Sequence, residues 1–589
     1  MKFLFLFFLF LILSDFCGAR TAENLKVRID DGKIIGRYMT SISGRGIRAF
    51  LGLPYAAPPI GELRFKAAKK PTPWFQDSLL AHNEPPMCTQ INIYDRTKKR
   101  VIGQEDCLYL NVYTPNINIT EKNFKKLNVM VWFHGGGFVE GHSGHSLYGP
   151  EYILEHDIVL VTGNYRLGPL GFLSTEDEYC SGNFGLKDQL MMLEWVQMNI
   201  EKFGGDGNSV TIFGENAGAA SVNYHMFSPM SRGLFHRAIS QSGNVMDVWA
   251  EPHRQGLAKM KAIRLADKMN CPISGSTIRE MVECLRNVPA EEIIASVGDF
   301  LEWDFDPLVP FGPVVESSEL EEEPFIMDLN YKKFSLDIPW LLGINSEEGI
   351  FKTAGILNSL KLTNDLAQNW ETIIPTSFYY DHLSEQEITE INVAIYGFYY
   401  KLGFLGEYKE NLTSMWSDGW MVNGIIDNLQ QRLEGNNRDN TYVYLFSHKG
   451  SISFSEILGA NREKFFGTCH GDDLLYLFPI RHNTPQYYNS IPTNEDTKLR
   501  KLMTKLWVNF ATTGNPTPEW SKKSKLPYWT PASKFPLDYM QIGNENGKSD
   551  KLLEMKKDLY TEHAEFWIKL REKYGLRAWK NEKKGRDEL

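Results

Sequence analysis

The chain contains the stretch Val210-Thr211-Ile212-Phe213-Gly214-Glu215-Asn216-Ala217-Gly218. Its first four residues form a short apolar run, typical of a strand buried on both faces of a parallel sheet. A Gly-x-x-x-Gly frame directly after such a strand is typical of a sharp strand-to-helix turn, in which the glycines let neighbouring backbone pack closely. Asn216, at the centre of the frame, is therefore predicted to sit at a sheet edge in a strained backbone conformation.

Other apolar runs have the same length and character, and helical stretches such as Leu186–Phe203 lie between them. This alternation predicts an α/β fold with a mostly parallel central sheet flanked by helices. The remaining predicted strands are Val129–Phe133, Ile158–Thr162, Ile338–Ile344 and Tyr442–Phe446.

Glycine-rich or polar segments follow several of these strands. The segment His134–Phe138 contains three consecutive glycines, Glu347-Glu348-Gly349 follows a second strand, and Cys469-His470-Gly471 lies in a long loop after a third. Sites in open α/β sheets form at the carboxyl ends of the strands. We therefore expect these segments and the turn at Asn216 to meet along one edge of the sheet.

The order of these motifs resembles that of the type-B carboxylesterase and cholinesterase family of α/β-hydrolases. The resemblance covers essentially the whole chain after its first residues, and it implies a single α/β-hydrolase domain over residues 20–579 with large insertions. Further motifs that carry it are Gly52–Ala56, Glu105–Asn111, His134–Phe138, Asn164–Gly168, Gly185–Gln189 and Phe203–Asp206.

The resemblance implies a catalytic triad and an oxyanion hole. His470 would be the general base and Glu348 would orient it, with Glu347 as the alternative acid one residue earlier. Backbone N–H groups suit an oxyanion hole because they are fixed where negative charge develops. The N–H groups of that hole would belong to Gly136, Gly137 and Ala217.

Asn216 stands where this family carries its nucleophilic serine. The lone pair of an amide nitrogen is tied into resonance, so His470 has no hydroxyl to activate. Loss of the serine from such a triad costs about 10⁶-fold in turnover. The sequence therefore predicts a catalytically disabled carboxylic ester hydrolase that binds hydrophobic esters or acyl compounds.

Two other functions stay open at the level of the sequence. One is an active carboxylesterase that uses water held by His470 or another residue. The second is a non-catalytic interaction protein, as in the neuroligin-like adhesion relatives without the serine, although those carry membrane anchors that this chain lacks. Deamidation of Asn216 to aspartate would supply a different nucleophile, but an Asn-Ala pair deamidates more slowly than Asn-Gly.

The family resemblance also implies structural roles. Trp249 would be a wall of the acyl pocket, although a tryptophan is as often part of the core. The family's ion pairs match Arg64–Glu105 and Arg166–Asp188, and its disulfides match Cys88–Cys107 and Cys271–Cys284. Short loops favour the same two disulfides, which leaves Cys180 and Cys469 as free thiols or as a third pair.

Both termini have the character of targeting signals. Lys2, the apolar run from Phe3 to Leu13 and the small residues up to Ala19 are typical of a cleaved secretory signal over residues 1–19. That run is too short for a transmembrane helix, which needs about 20 residues. The charged tail, residues 580–589, ends in Arg-Asp-Glu-Leu, which resembles a signal for retrieval to the endoplasmic reticulum by its receptor.

We therefore expect the protein in the lumen of the endoplasmic reticulum, or secreted if the retrieval signal is not read. In either place Asn118 and Asn411 would be glycosylation acceptors, because each begins an Asn-x-Thr sequon.

The composition excludes several classes of protein. The 589 residues include 42% hydrophobic and 23% charged residues, which is ordinary for a globular chain and not for a collagen-like, coiled-coil or disordered one. The net charge of −10 disfavours binding of nucleic acid through a basic face. No phosphate-binding loop, dinucleotide motif or metal-ligand spacing is present, and the pair His156-Asp157 is more simply a polar loop, so no cofactor or metal is predicted.

Overall fold

The computed structural model describes most of the chain between residues 25 and 576. The described residues are 25–92, 100–119, 121, 123–273, 277–317, 323–327, 336–400, 408–434, 440–456, 458, 467–480, 492–518, 526–544 and 551–576. The predicted secretory signal, the charged tail and the threonine of the Asn118 sequon lie outside them.

The centre of the molecule is a sheet of 11 strands in the order β16-β15-β14-β13-β12-β11-β9-β10-β8-β4-β3. Neighbours from β10 through β15 are parallel, and the pairs at both outer parts of the sheet are antiparallel. The strands are β1 Lys26–Ile29, β2 Gly32–Ile35, β3 Arg37–Thr40, β4 Gly46–Pro54, β5 Trp74–Leu80, β6 Gln90–Ile91, β7 Val101–Ile102, β8 Tyr109–Pro115, β9 Leu127–Phe133, β10 Ile158–Gly163, β11 Gly205–Glu215, β12 Arg237–Gln241, β13 Trp340–Asn345, β14 Thr441–Phe446, β15 Asp538–Ile542 and β16 Leu553–Lys557.

Helices cover both faces of this sheet, and two long helical insertions follow β12 and β13. The helices are α1 His145–Tyr148, α2 Gly168–Phe172, α3 Phe184–Asn199, α4 Ala217–Phe227, α5 Leu257–Lys268, α6 Ile278–Asn287, α7 Ala290–Ala295, α8 Ile350–Leu357, α9 Leu360–Gln368, α10 Trp370–Ser377, α11 Glu385–Tyr399, α12 Tyr408–Ser417, α13 Asn423–Glu434, α14 Asn494–Thr513 and α15 Thr561–Lys573.

Strand β9 shows why the sequences of the central strands are continuously apolar. Val129, Val131 and Phe133 belong to the hydrophobic core on one side of the sheet, whereas Met130 and Trp132 belong to the core on the other side. Successive side chains of a strand point to opposite faces, so a strand covered by helices on both faces is apolar at every position. The α/β-hydrolase fold predicted from the sequence is confirmed.

Covalent and ionic links match the pairings expected from the sequence. The structure contains the disulfides Cys88–Cys107 and Cys271–Cys284, while Cys180 and Cys469 are free and buried. The ion pairs Arg64–Glu105 and Arg166–Asp188 are both present, and each arginine makes two side-chain hydrogen bonds to its carboxylate. Within the described part of the chain, every helix is too short or too polar to cross a membrane.

Candidate functional site

The turn between β11 and α4 holds Asn216 in a conformation that few residues adopt. Its φ is 54° and its ψ is −121°, and α4 begins at the next residue. The turn is tight because a Cβ atom at Gly218 would lie 2.0 Å from the carbonyl oxygen of Phe133, and one at Gly214 would lie 2.4 Å from the backbone of Gly218. The glycine frame therefore lets the turn close and places the Asn216 side chain at the carboxyl end of the sheet.

The amide oxygen of Asn216 faces the glycine-rich segment that follows β9. The backbone N–H of Gly137 donates to Asn216 Oδ1 at 2.8 Å, and that of Gly136 donates to the same atom at 3.2 Å. Both glycines have positive φ, which turns their N–H groups toward one point. The Asn216 oxygen therefore occupies the place where these donors would bind an oxyanion.

The amide nitrogen of Asn216 faces the predicted general base. Asn216 Nδ2 lies 2.9 Å from His470 Nε2, and His470 Nδ1 lies 2.5 Å from Glu348 Oε2. His470 thus lies between the other two predicted triad residues, and each of the three is at most 5% exposed.

Glu348 is fixed by donors at the ends of two strands. Its Oε1 accepts hydrogen bonds from the Ser242 hydroxyl at 2.5 Å and from the backbone N–H of Asn345 at 2.6 Å. The alternative acid, Glu347, is used differently, since its Oε2 accepts from the backbone N–H of Thr468 at 2.6 Å. The carboxylate that orients His470 is therefore that of Glu348.

Glu215 is a member of the site that the sequence reasoning missed. Its Oε1 lies 2.9 Å from His470 Nε2, so the ring stands between two carboxylates. Burial lowers the pKa of His470, but the charges of Glu215 and Glu348 outweigh burial and hold that pKa well above its usual range. When the ring is protonated, Nδ1 can donate to Glu348 and Nε2 can donate to Glu215. The position of Glu215, at the end of β11 directly before Asn216, was the available signal.

Two other predicted site residues, Ala217 and Trp249, have different places in the fold. Ala217 is the first residue of α4, directly after Asn216. Trp249 is buried in the main core and donates from Nε1 to the carbonyl oxygen of Trp420, so its pocket role stays a prediction. A further apolar residue, Phe351, makes a T-shaped contact with the His470 ring, with centroids 5.3 Å apart.

The two predicted glycosylation sites differ in their surroundings. Asn118 is exposed in the loop after β8, where an acceptor side chain is accessible. Asn411 lies in helix α12, and Thr413 of its sequon is buried and hydrogen bonded to the Thr353 hydroxyl. The surroundings therefore favour Asn118 over Asn411 as an acceptor.

The family of this chain follows from a comparison of its sequence with known families. The profile of the carboxylesterase family matches residues 23–567, which is nearly the whole chain. The chain belongs to the carboxylesterase family.

Several carboxylesterases resemble this family member over most of their length. It is 34% identical to a juvenile hormone esterase of Tribolium castaneum, covering 96% of this chain and 97% of that protein. It is 37% identical to esterase FE4 of Myzus persicae, covering 91% of each. The crystal structure of juvenile hormone esterase from Manduca sexta, with OTFP covalently attached, superposes with a TM-score of 0.78 at 27% identity and covers 94% of this chain and 99% of that one.

The geometry of this carboxylesterase site defines what it can do chemically. It contains an acid, a histidine and fixed N–H donors arranged around one side chain, as an ester hydrolase requires. The side chain at the centre is an amide, which has no O–H bond to give to His470. The two N–H donors that would polarise a carbonyl group are bound to the oxygen of this amide.

Proposed function

We propose that this carboxylesterase-family protein is a catalytically disabled carboxylic ester hydrolase of the secretory pathway, which binds hydrophobic esters or acyl compounds without turning them over. The observation that carries the proposal is the placement of the Asn216 amide. Its oxygen lies on the N–H groups of Gly136 and Gly137, and its nitrogen lies at His470 Nε2. The residue that replaces the nucleophile also fills the oxyanion hole.

Ester hydrolysis would need an acyl-enzyme to form and the substrate carbonyl to be polarised. The Asn216 side chain impedes both. Without a hydroxyl at residue 216 no acyl-enzyme can form, and removal of the serine from such a triad lowers turnover by about 10⁶-fold. A substrate carbonyl would also have to displace the Asn216 oxygen before the two N–H donors could polarise it. The site therefore stabilises the transition state of ester hydrolysis less than it stabilises a bound, unreacted ligand.

Apolar side chains near the centre support a hydrophobic ligand. Phe351 lies against His470, and Phe305 packs edge-on against Phe351 with centroids 5.6 Å apart. Ligand sites are lined mainly by apolar and aromatic groups, with a few polar groups for orientation. Because the oxyanion donors are already used, apolar contact would supply most of the affinity here.

The secretory part of the proposal rests on the chain termini and the cysteines. We assign residues 1–19 as a cleaved signal and Arg586–Leu589 as a retrieval signal for the endoplasmic reticulum. The two disulfides support an oxidising compartment, because such bonds persist there and are rare in the cytosol. Asn118, exposed in its loop, would then be available for glycosylation.

Turnover of a short aryl ester tests this function. We expect the native protein and an Asn216→Ala control to be inactive within error, because both lack a hydroxyl. Asn216→Ser should restore turnover by about 10⁶-fold if the rest of the apparatus is competent. Native turnover equal to that of Asn216→Ser would instead favour an active enzyme that uses water, and it would overturn the proposal.

A further inference from the structure

The esterase apparatus is assembled around the Asn216 side chain as it would be around a bound amide. The carbonyl oxygen of the Asn216 side chain lies 2.8 Å and 3.2 Å from the two oxyanion-hole nitrogens. The nitrogen that would leave on hydrolysis of this amide lies 2.9 Å from His470 Nε2. A carbonyl oxygen on fixed N–H donors, with the leaving nitrogen beside a histidine, is the arrangement that promotes acyl transfer.

We propose that Asn216 is a self-modification site, at which the residual esterase apparatus hydrolyses the side-chain amide to an aspartate and releases ammonia. The only reagent required is water. This inference does not rest on the proposed lack of ester turnover, since it concerns the covalent state of residue 216 itself.

The reaction balances with the groups that surround the amide. The water oxygen bonds to Cγ of Asn216 and gives one proton to the Glu215 carboxylate, while the carbonyl electron pair moves onto Oδ1 between the two N–H donors. His470 Nε2 gives its proton to the nitrogen as the C–N bond breaks. The new carboxylic acid returns a proton to His470, and the ammonia leaves with the proton held by Glu215. The sum is amide plus water to carboxylate plus ammonium.

Glu215 is the acidic residue that directly precedes Asn216 in the chain. A Cβ atom built at Gly135 would meet Glu215 Oε2 at 2.4 Å and Asn216 Cβ at 3.0 Å, so both side chains pass the same point of the backbone. The same carboxylate is 2.9 Å from His470 Nε2. One acidic group therefore lies beside the histidine and on the same side of the Gly135 backbone as Asn216 Cβ.

The contact between Asn216 and His470 strengthens only as the reaction proceeds. In the planar amide the nitrogen lone pair is delocalised, so Nδ2 cannot accept a proton from the ring. After water adds to Cγ the nitrogen becomes tetrahedral and basic, and it then accepts the Nε2 proton. An interaction that forms only in the transition state is one that accelerates a reaction.

This route differs from ordinary deamidation in its product and its dependence on the fold. Ordinary deamidation proceeds by attack of the following backbone nitrogen on the side chain, gives both aspartate and isoaspartate, and is slow when the next residue is alanine. Direct hydrolysis gives aspartate alone and requires the folded apparatus. The structure therefore reverses the expectation from the Asn-Ala pair.

Peptide mass spectrometry of native protein stored in ¹⁸O-labelled water tests the proposal. We expect residue 216 to convert to aspartate with one heavy oxygen and with no isoaspartate. Asn183 is an internal control, because it is also buried and has a similar φ of 57°. Its Nδ2 donates to the Val314 carbonyl and the Glu316 carboxylate, and not to a histidine. Asn183 should stay unconverted over the same period.

Two comparisons connect the conversion to the apparatus. His470→Gln should slow the conversion by about 10²-fold or more, the usual contribution of a positioned acid or base. His236→Gln, beside the opposite end of β12, should not change it. Native protein unfolded in urea provides the second comparison, because the same sequence without the fold should stop converting by this route even if His470→Gln does not fold.

The results that would overturn the proposal are distinct from those that concern ester turnover. An amide at residue 216 that persists as long as that of Asn183, formation of isoaspartate there, or equal rates in folded and unfolded protein would each contradict it. None of these outcomes depends on whether the protein turns over an aryl ester.

Discussion

At the scale of single residues, the two ends of the Asn216 amide face different parts of the site. Its oxygen accepts from the buried N–H of Gly137 and the half-buried N–H of Gly136, and its nitrogen contacts His470. Leaving a buried donor unpaired costs about 1–3 kcal/mol, so an acceptor at residue 216 keeps the hole formed. Under the proposed function, Asn216 occupies the oxyanion donors and offers no hydroxyl to His470.

Glu215 sets the pH at which His470 can act as a base. The charges of Glu215 and Glu348 hold the pKa of His470 above its usual range, so the ring loses its proton only at higher pH. In the Asn216→Ser background, kcat/KM should therefore rise with pH as the ring becomes neutral. Adding Glu215→Gln removes one charge, lowers the pKa of His470, and should move this rise to lower pH.

Glu347→Gln in the same background is the matched control, because it removes an equal charge from a carboxylate bound by Thr468. We expect a much smaller displacement of the pH profile for this variant. Equal profiles for Glu215→Gln and the Asn216→Ser background would show that Glu215 does not govern the base.

At the scale of elements, a buried lysine ties helix α8 to the loop that carries Phe305. Lys352 Nζ lies 3.1 Å from Asp304 Oδ2, 2.9 Å from Asp306 Oδ2 and 3.8 Å from the centroid of the Phe305 ring. Phe305 in turn packs against Phe351, which contacts His470. The ion pairs therefore fix the apolar surface beside the candidate site.

Lys352→Met should weaken the fold strongly. The side chain of Lys352 is fully buried, and its removal leaves two buried carboxylates without their cation. Breaking a buried ion pair costs about 3–5 kcal/mol, so the urea midpoint of unfolding should fall clearly. Lys361→Met is the control. The side chain of Lys361 is 80% exposed, and its ion pair with Asp365 contributes at most about 0.5 kcal/mol. Equal midpoints for the two variants would contradict the assigned role of Lys352.

The central elements were predictable because their signals are local. Runs such as Ile158–Thr162 and Tyr442–Phe446 are apolar at nearly every position, and the observed strands differ from them by a residue at one end. Strand β11 begins five residues before the predicted Val210, because Gly205 already pairs with Leu127. Residues 206–209 are Asp, Gly, Asn and Ser and gave no apolar signal for this part of the strand. Long-range pairing, and not local pattern, sets that boundary.

Site residues that lie in motifs of the family could be predicted from the sequence. Glu348 and His470 follow from the family resemblance, and in the structure His470 Nδ1 lies 2.5 Å from Glu348 Oε2. The contact of Glu215 with His470 joins residues far apart in the chain, so the sequence alone did not reveal it. The orientation of the Asn216 amide depends on N–H donors in the segment after β9, which also required the structure.

At the scale of the whole molecule, two disulfides close short loops near the edges of a large core. Their sequence separations are 19 and 13 residues, for which the loop-entropy estimate is about 3 kcal/mol each. The remaining thiols, Cys180 and Cys469, are both buried. Burial raises the pKa of the Cys180 thiol to about 12 and that of Cys469 well above its usual range.

Thiol titration of the chain without residues 1–19 should therefore give no reactive cysteine in the native state. A buried, protonated thiol is a poor nucleophile, so reaction should begin only when the chain unfolds. In denaturant without reductant, we expect the two free cysteines to react. No reaction there would indicate a third disulfide, and four reactive thiols would indicate that one assigned disulfide is absent.

We infer that the side chain of residue 216 alone separates this protein from an active carboxylesterase. Covalent labelling by a fluorophosphonate serine-hydrolase probe, applied to native protein and to Asn216→Ser in parallel, tests this most directly. We predict labelling of Asn216→Ser at residue 216 and none of the native protein, because the N–H groups of Gly136 and Gly137 and the His470–Glu348 pair surround residue 216. Labelling of the native protein, or an unlabelled but folded Asn216→Ser, would contradict this inference.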